Sequence, residues 1–103
     1  MKHTWTKEEI RTSTEFFIQT FIIQKRHLSL TEAAKELHIL LPNLKLASVK
    51  MHLSNSKALA EEMGIANTAN FSKLERASLM HRKIFSDLVT RLDLSEKGGA
   101  QNV

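Results

Sequence analysis

At three places where a helix could open, a hydroxyl residue stands three places ahead of a glutamate: Thr6-Lys7-Glu8-Glu9, Ser29-Leu30-Thr31-Glu32 and Ser72-Lys73-Leu74-Glu75. Each is a capping box. The hydroxyl accepts a backbone N–H that the first helical turn leaves without a partner, and the glutamate reaches back to the N–H of the capping residue. A chain punctuated this way is committed to helices, and the apolar spacing behind each box decides which face is buried.

Behind the first box the spacing predicts a helix to about His27. Ile10, Thr14, Phe17 and Phe21 form one stripe, and Phe16, Ile18, Ile22 and Ile23 widen it until the second half is apolar nearly all round. Such a segment is either enclosed by its own domain or paired with a second chain. Residues 16–23 are therefore both the expected central core element and a candidate homodimer surface. Their β-branched and aromatic content would also suit a strand, but the helical start governs. The second box opens a helix with Leu30, Ala34, Leu37 and Leu41 on one face and Glu32, Lys35 and Glu36 on the other. Pro42 ends it, because the residue before a proline is pushed out of the helical region. After Leu41-Pro42-Asn43 a third helix is expected from about Leu46 to Met63, closed by Gly64 in a left-handed cap. The third box predicts a fourth helix from Ser72 to about Leu94, with Leu74, Ala77, Ile84, Phe85, Leu88 and Leu92 as its apolar side. The expectation is an all-α, small four-helix domain over residues 1–94. Residues 95–103, with two glycines and almost nothing to bury, are expected to be a disordered tail.

Composition bounds the chemistry. At 103 residues and 42% hydrophobic content there is one modest core. With no cysteine there is no disulfide framework or thiolate zinc site, and a reducing cytoplasm fits. The start MKHTWTKEEI is too polar for a signal peptide, and FFIQTFII is interrupted and too short to span a bilayer, so a cytoplasmic protein with no membrane role is expected. The five histidines contain no HExxH and no pair four residues apart, and three glycines cannot build a phosphate loop. No serine sits in a nucleophile elbow. The expectation is a non-enzyme with no catalytic residues, metal or cofactor.

A net charge of +4 and a pI near 9.6 suit an anionic partner. A short helix, a turn and a second helix of mixed chemistry is the layout of a helix-turn-helix unit, whose second helix enters the DNA major groove. On the third helix Leu46, Val49, Leu53 and Ala60 share one side. Ser48, Lys50, Met51, Ser54 and Asn55 lie opposite, with Lys45 just ahead. Asn can bond an adenine edge twice, Ser and Lys can bond bases or phosphates, and Met can press on a thymine methyl. Lys45, Lys50 and Arg76 are the candidate backbone contacts, and Ser48, Met51, Ser54 and Asn55 the groove-facing set. The same residue types also make an ordinary solvated face; Asn55 can serve a structural hydrogen bond and Met51 can cover a neighbour. His52 lies nearer the buried edge.

Three strings, WTKEE, ASVKMHLSN and NFSKLER, together resemble the N-terminal domain of bacterial HNH-type endonucleases of restriction-like systems. Trp5, Thr6, Glu8 and Glu9 match its opening. Ser48, Val49, Met51, Leu53, Asn55 and Leu59 match its middle segment, and Ser72, Lys73, Leu74 and Arg76 its later string. Ile84 and Phe85 match its last pattern only with a gap. The resemblance covers residues 5 to about 88, and the first helix followed by SLTEAAKEL is also similar to Myb-like domains. It departs at LPNLKLA, where the family has a Gly-Arg-Thr-Pro-like turn, and at His52 and Ser56, where lysine and an aromatic are usual. No HNH metal set is present. The resemblance implies a stand-alone recognition module, repressor or accessory subunit on double-stranded DNA. The alternative is a phage or mobile-element protein that keeps the fold but binds a host defence complex, in the manner of an anti-restriction or anti-CRISPR protein. Charge placement separates the two, and Glu61 and Glu62 at the end of the third helix temper the first.

Overall fold

The computed structural model describes residues 4–92, which form four helices and no strand. Helix α1 runs Lys7–Phe17 and continues without a break as a π-helical segment, Ile18–Ile23. Helix α2 is Leu30–Leu40, α3 is Leu46–Glu62 and α4 is Leu79–Leu92. Residues 93 and 94 and the tail 95–103 lie outside the described residues.

The first two capping boxes form as expected. Thr6 Oγ1 accepts the Glu9 N–H at 3.1 Å while Glu9 accepts the Thr6 N–H at 2.8 Å. Ser29 and Glu32 repeat the exchange at 3.1 and 2.9 Å. The predicted stripe Ile10, Thr14, Phe17, Phe21 is buried throughout, and Ile18 and Ile22 join it. The first helix is shorter than expected. Past Phe17 its turn widens, so that the Gln24 N–H reaches the carbonyl five residues back at 2.8 Å. Lys25 then turns the chain at φ 54. The widened turn keeps the Phe17 and Phe21 rings together on the core side, tilted 45° with centroids 5.1 Å apart, where Phe85 and Phe71 complete the aromatic cluster. Residues 16–23 thus serve this chain's own core, with Gln19 and Ile23 exposed and Phe16 half-buried.

The α1 rod packs against α2, α3 and α4, and α2 packs against α3. Two polar links fix the junctions. Arg26 at the end of the π segment grips Glu36 of α2 with two hydrogen bonds of 3.0 and 2.9 Å. Across the α2–α3 turn, His38 Nε2 donates to the Leu44 carbonyl at 2.8 Å. Gly64 takes φ +71 after α3, the left-handed cap its position predicts.

The third box does not form. Residues 72–78 are an irregular segment, and α4 opens seven residues later than expected, with the Ser78 hydroxyl accepting the His81 N–H at 3.1 Å. The reason is competition. The segment's backbone donors find better partners on α3: Leu74 N–H bonds the Ser54 carbonyl at 3.1 Å and Arg76 N–H bonds Asn55 Oδ1 at 2.9 Å. A helix capped at Ser72 would turn the Arg76 N–H back to the Ser72 carbonyl and leave the Leu74 N–H with no intrahelical partner. Of the apolar side expected for this helix, Ile84, Phe85 and Leu88 are buried, Leu74 and Ala77 pack half-buried from the segment, and Leu92 is exposed.

A candidate nucleic-acid interface around an aromatic cleft

Helix α3 divides in two. From His52 to Ala60 every residue but Lys57 is buried, whereas Lys45, Ala47 and Met51 are exposed and Leu46, Ser48 and Lys50 half-exposed. The small side chains of Ser54, Ser56, Ala58 and Ala60 allow neighbours to approach from several sides, including the segment 72–78. This corrects the expected geometry of the contacting face. Ser54 and Asn55 are 7% and 8% exposed, and Asn55 spends its carboxamide oxygen on the Arg76 N–H. They hold the segment in place and do not face outward. Lys45, Ser48, Lys50, Met51 and Arg76 keep access to solvent.

Rings from three separate stretches of the chain converge in space. Trp5, ahead of α1, stacks on His52 of α3 with ring centroids 4.1 Å apart and planes 11° apart. His52 stacks in turn on His81 of α4 at 3.8 Å and 16°. Serines tether both imidazoles: Ser13 Oγ lies 2.7 Å from His52 Nδ1, and Ser56 Oγ lies 3.0 Å from His81 Nε2. Ser13 and Ser56 are fully buried. Burial, reinforced by the neighbouring His81, pushes His52 down to about 2; burial, reinforced by Arg82, pushes His81 down to about 4. At neutral pH both rings are uncharged, which lets them lie face to face without repulsion. His52 Nε2 is buried and has no hydrogen-bond partner in the protein.

Beside this column opens a cleft of about 440 Å³, lined by Trp5, Ser48, Met51, His52, Asn55, Arg76, Ser78, Met80 and His81, together with Thr4 and Ile10. Its walls are mostly apolar, and among the described residues no carboxylate lines it. Sequence reasoning missed Trp5, Met80 and His81 as site residues and set His52 aside as a buried edge. Trp5 and His52 stand 47 positions apart in the chain and His52 and His81 a further 29, so no local spacing could announce the column.

Charge around α3 is sorted by position. On its C-terminal half Glu61 pairs with Lys57 and Lys73, and Glu62 pairs with Arg82. At its N-terminal half Lys45 and Lys50, and Arg76 at the cleft, make no ion pair with the described residues. Lys45 is the N-cap residue and its side chain caps nothing, so the first amides of α3 have no side-chain partner there. Among the described residues no group of three or more His, Cys, Asp or Glu side chains could hold a metal ion, and no helix is long and apolar enough to cross a membrane.

These features define a class only: an all-α domain with a carboxylate-free aromatic cleft. No protein-family model matches the chain, and no curated protein or solved structure is significantly similar to it.

Proposed function

We propose that this chain is a non-catalytic DNA-binding protein that meets double-stranded DNA through the N-terminal turns of α3, as a recognition module, repressor or accessory subunit of a restriction-like system. The observation that carries the reading is the segregation of charge. Lys45, Lys50 and Arg76 are unpaired where α3 is exposed, and the acidic end of the helix is neutralised by Lys57, Lys73 and Arg82. In a helix-turn-helix unit it is the N-terminal residues of the second helix that reach base edges, and α2, the five-residue turn 41–45 and α3 have that order. The uncapped amides at Leu46 and Ala47 add donors suited to a phosphate. In this reading Lys45, Lys50 and Arg76 hold the backbone, Ser48 and Met51 face the groove, and Ser54 and Asn55 act indirectly by fixing Leu74 and Arg76 of the segment 72–78.

A salt series on random-sequence duplex tests it, with wild type beside a Lys45→Ala/Lys50→Ala variant. Binding should weaken steeply with salt, and the variant should lose affinity and lower the salt slope by about two, one per phosphate contact. No binding by wild type at low salt would refute general DNA binding.

A second reading has its own observation. Met51 is 50% exposed and Met80 47%, both lining the cleft, and Leu79 beside Met80 in the chain is 85% exposed, apolar surface that suits a protein partner. On that reading the chain is an inhibitor from a phage or mobile element that binds a defence complex, and it would be favoured by the negative outcome above.

A further inference from the structure

The cleft is more than a by-product of packing. A volume of about 440 Å³ lies within the roughly 300–1,000 Å³ of sites that enclose small organic ligands. Its apolar walls are flat or polarisable: the ring column Trp5–His52–His81 and the thioethers of Met51 and Met80. Directional groups are few. The Ser78 oxygen is occupied by the His81 N–H, which leaves its hydroxyl proton to donate. Asn55 has its carboxamide oxygen engaged by the Arg76 N–H, which leaves its NH2 as the group able to serve a ligand. Ser48 adds a second hydroxyl. One cation, Arg76, stands among the lining residues and no carboxylate opposes it.

Flat apolar walls, a few donors and one uncompensated cation fit a planar heteroaromatic ring joined to an anion. We propose that the cleft takes a single unstacked nucleobase that belongs to a DNA strand, with Arg76 on the adjoining phosphate, an inference that rests on the DNA-binding reading above. The strand is favoured over a free nucleotide by charge placement. Arg76 alone is a thin match for a dianionic terminal phosphate, whereas the further cations, Lys45 and Lys50, lie on the exposed turns of α3, where flanking phosphates of a bound strand would run. Stacking between aromatic and apolar side chains, with donors aimed at one edge, is how proteins hold a base that has left the duplex.

Trp5 is the only tryptophan, so its emission reports on this cleft alone. Three probes separate the outcomes: a fully paired duplex, the same duplex with one bulged adenine, and dAMP. The bulged duplex should bind on the order of tenfold more tightly than the paired one, the low end of what one base stacked on aromatic groups contributes. It should also quench Trp5. Ser48→Phe, which fills the cleft, and Met80→Ala, which removes a wall at an exposed position, should each bring the affinity ratio of bulged to paired duplex towards one; circular dichroism checks that both fold. Equal binding of the two duplexes with Trp5 emission unchanged would overturn the base pocket and leave the DNA-binding reading standing. If dAMP quenches Trp5 as tightly as the bulged duplex does, the strand assignment is overturned. Failure of all three probes to bind overturns both readings together.

Discussion

Lowering the pH from 8 to 5.5 should strip this domain of a large share of its stability, through two side chains. His52 and His81 are held at about 2 and about 4 by burial, His52 also by its partner ring and His81 by Arg82. In the unfolded chain both return to about 6.5. Below 6.5 the unfolded state therefore binds protons that the folded state refuses, and linkage pulls the equilibrium toward unfolding. The stabilisation is fully present above pH 6.5 and drains away as pH falls toward the folded values. At about 1.36 kcal/mol per pH unit, each ring costs roughly 1.4 kcal/mol by pH 5.5, and the pair about 3 kcal/mol. That result is insensitive to the folded values, since both lie well below 5.5. Against a total of about 5–15 kcal/mol it is substantial, worth on the order of 10–20 °C in melting temperature for a domain this small. Urea unfolding at several pH values, followed by circular dichroism and by Trp5 emission, measures it. His81→Gln removes one titrating ring and should halve the pH dependence, whatever it does to absolute stability. Stability that stays constant from pH 8 to 5.5, or a His81→Gln variant that keeps the full dependence, would refute the reasoning.

Three further perturbations test the local architecture. Ser29→Ala and Ser78→Ala should each destabilise by about 1 kcal/mol in chemical denaturation, because each hydroxyl caps a helix, whereas Ser72→Ala should change almost nothing. Asn55→Ala orphans the Arg76 N–H and should cost about 1–3 kcal/mol, with faster amide hydrogen exchange along residues 72–78; Asn55→Asp, which keeps the acceptor oxygen, should retain the loop's protection. Gly64→Ala meets no atom within 4 Å, so any loss is conformational: about 1–2 kcal/mol for holding an L-residue at φ +71, read as a shift in the urea midpoint with unchanged slope.

Helix formation in this chain is a local matter and could be read directly. The Thr6 and Ser29 boxes, the stop before Pro42 and the turn at Gly64 each depend on groups within four residues of one another, so the one-dimensional pattern contains them whole. The buried stripe Ile10–Thr14–Phe17–Phe21 follows from helical spacing for the same reason. The Ser72 box shows where local reasoning ends. It is as good a start signal as the others, but the N–H groups of Leu74 and Arg76 within that stretch are held by Ser54 and Asn55, about twenty residues away. That long-range exchange delays α4 to Leu79, buries Ser54 and Asn55 of the face expected to contact a partner, and sets Arg76 at the cleft. The stacked column has the same character. Nothing in the local spacing of Trp5, His52 or His81 ties the three to one another. Their shared chemistry, uncharged rings 3.8 to 4.1 Å apart beside a carboxylate-free cleft, exists only because α1, α3 and α4 bring three separate stretches of chain together and exclude water from between them.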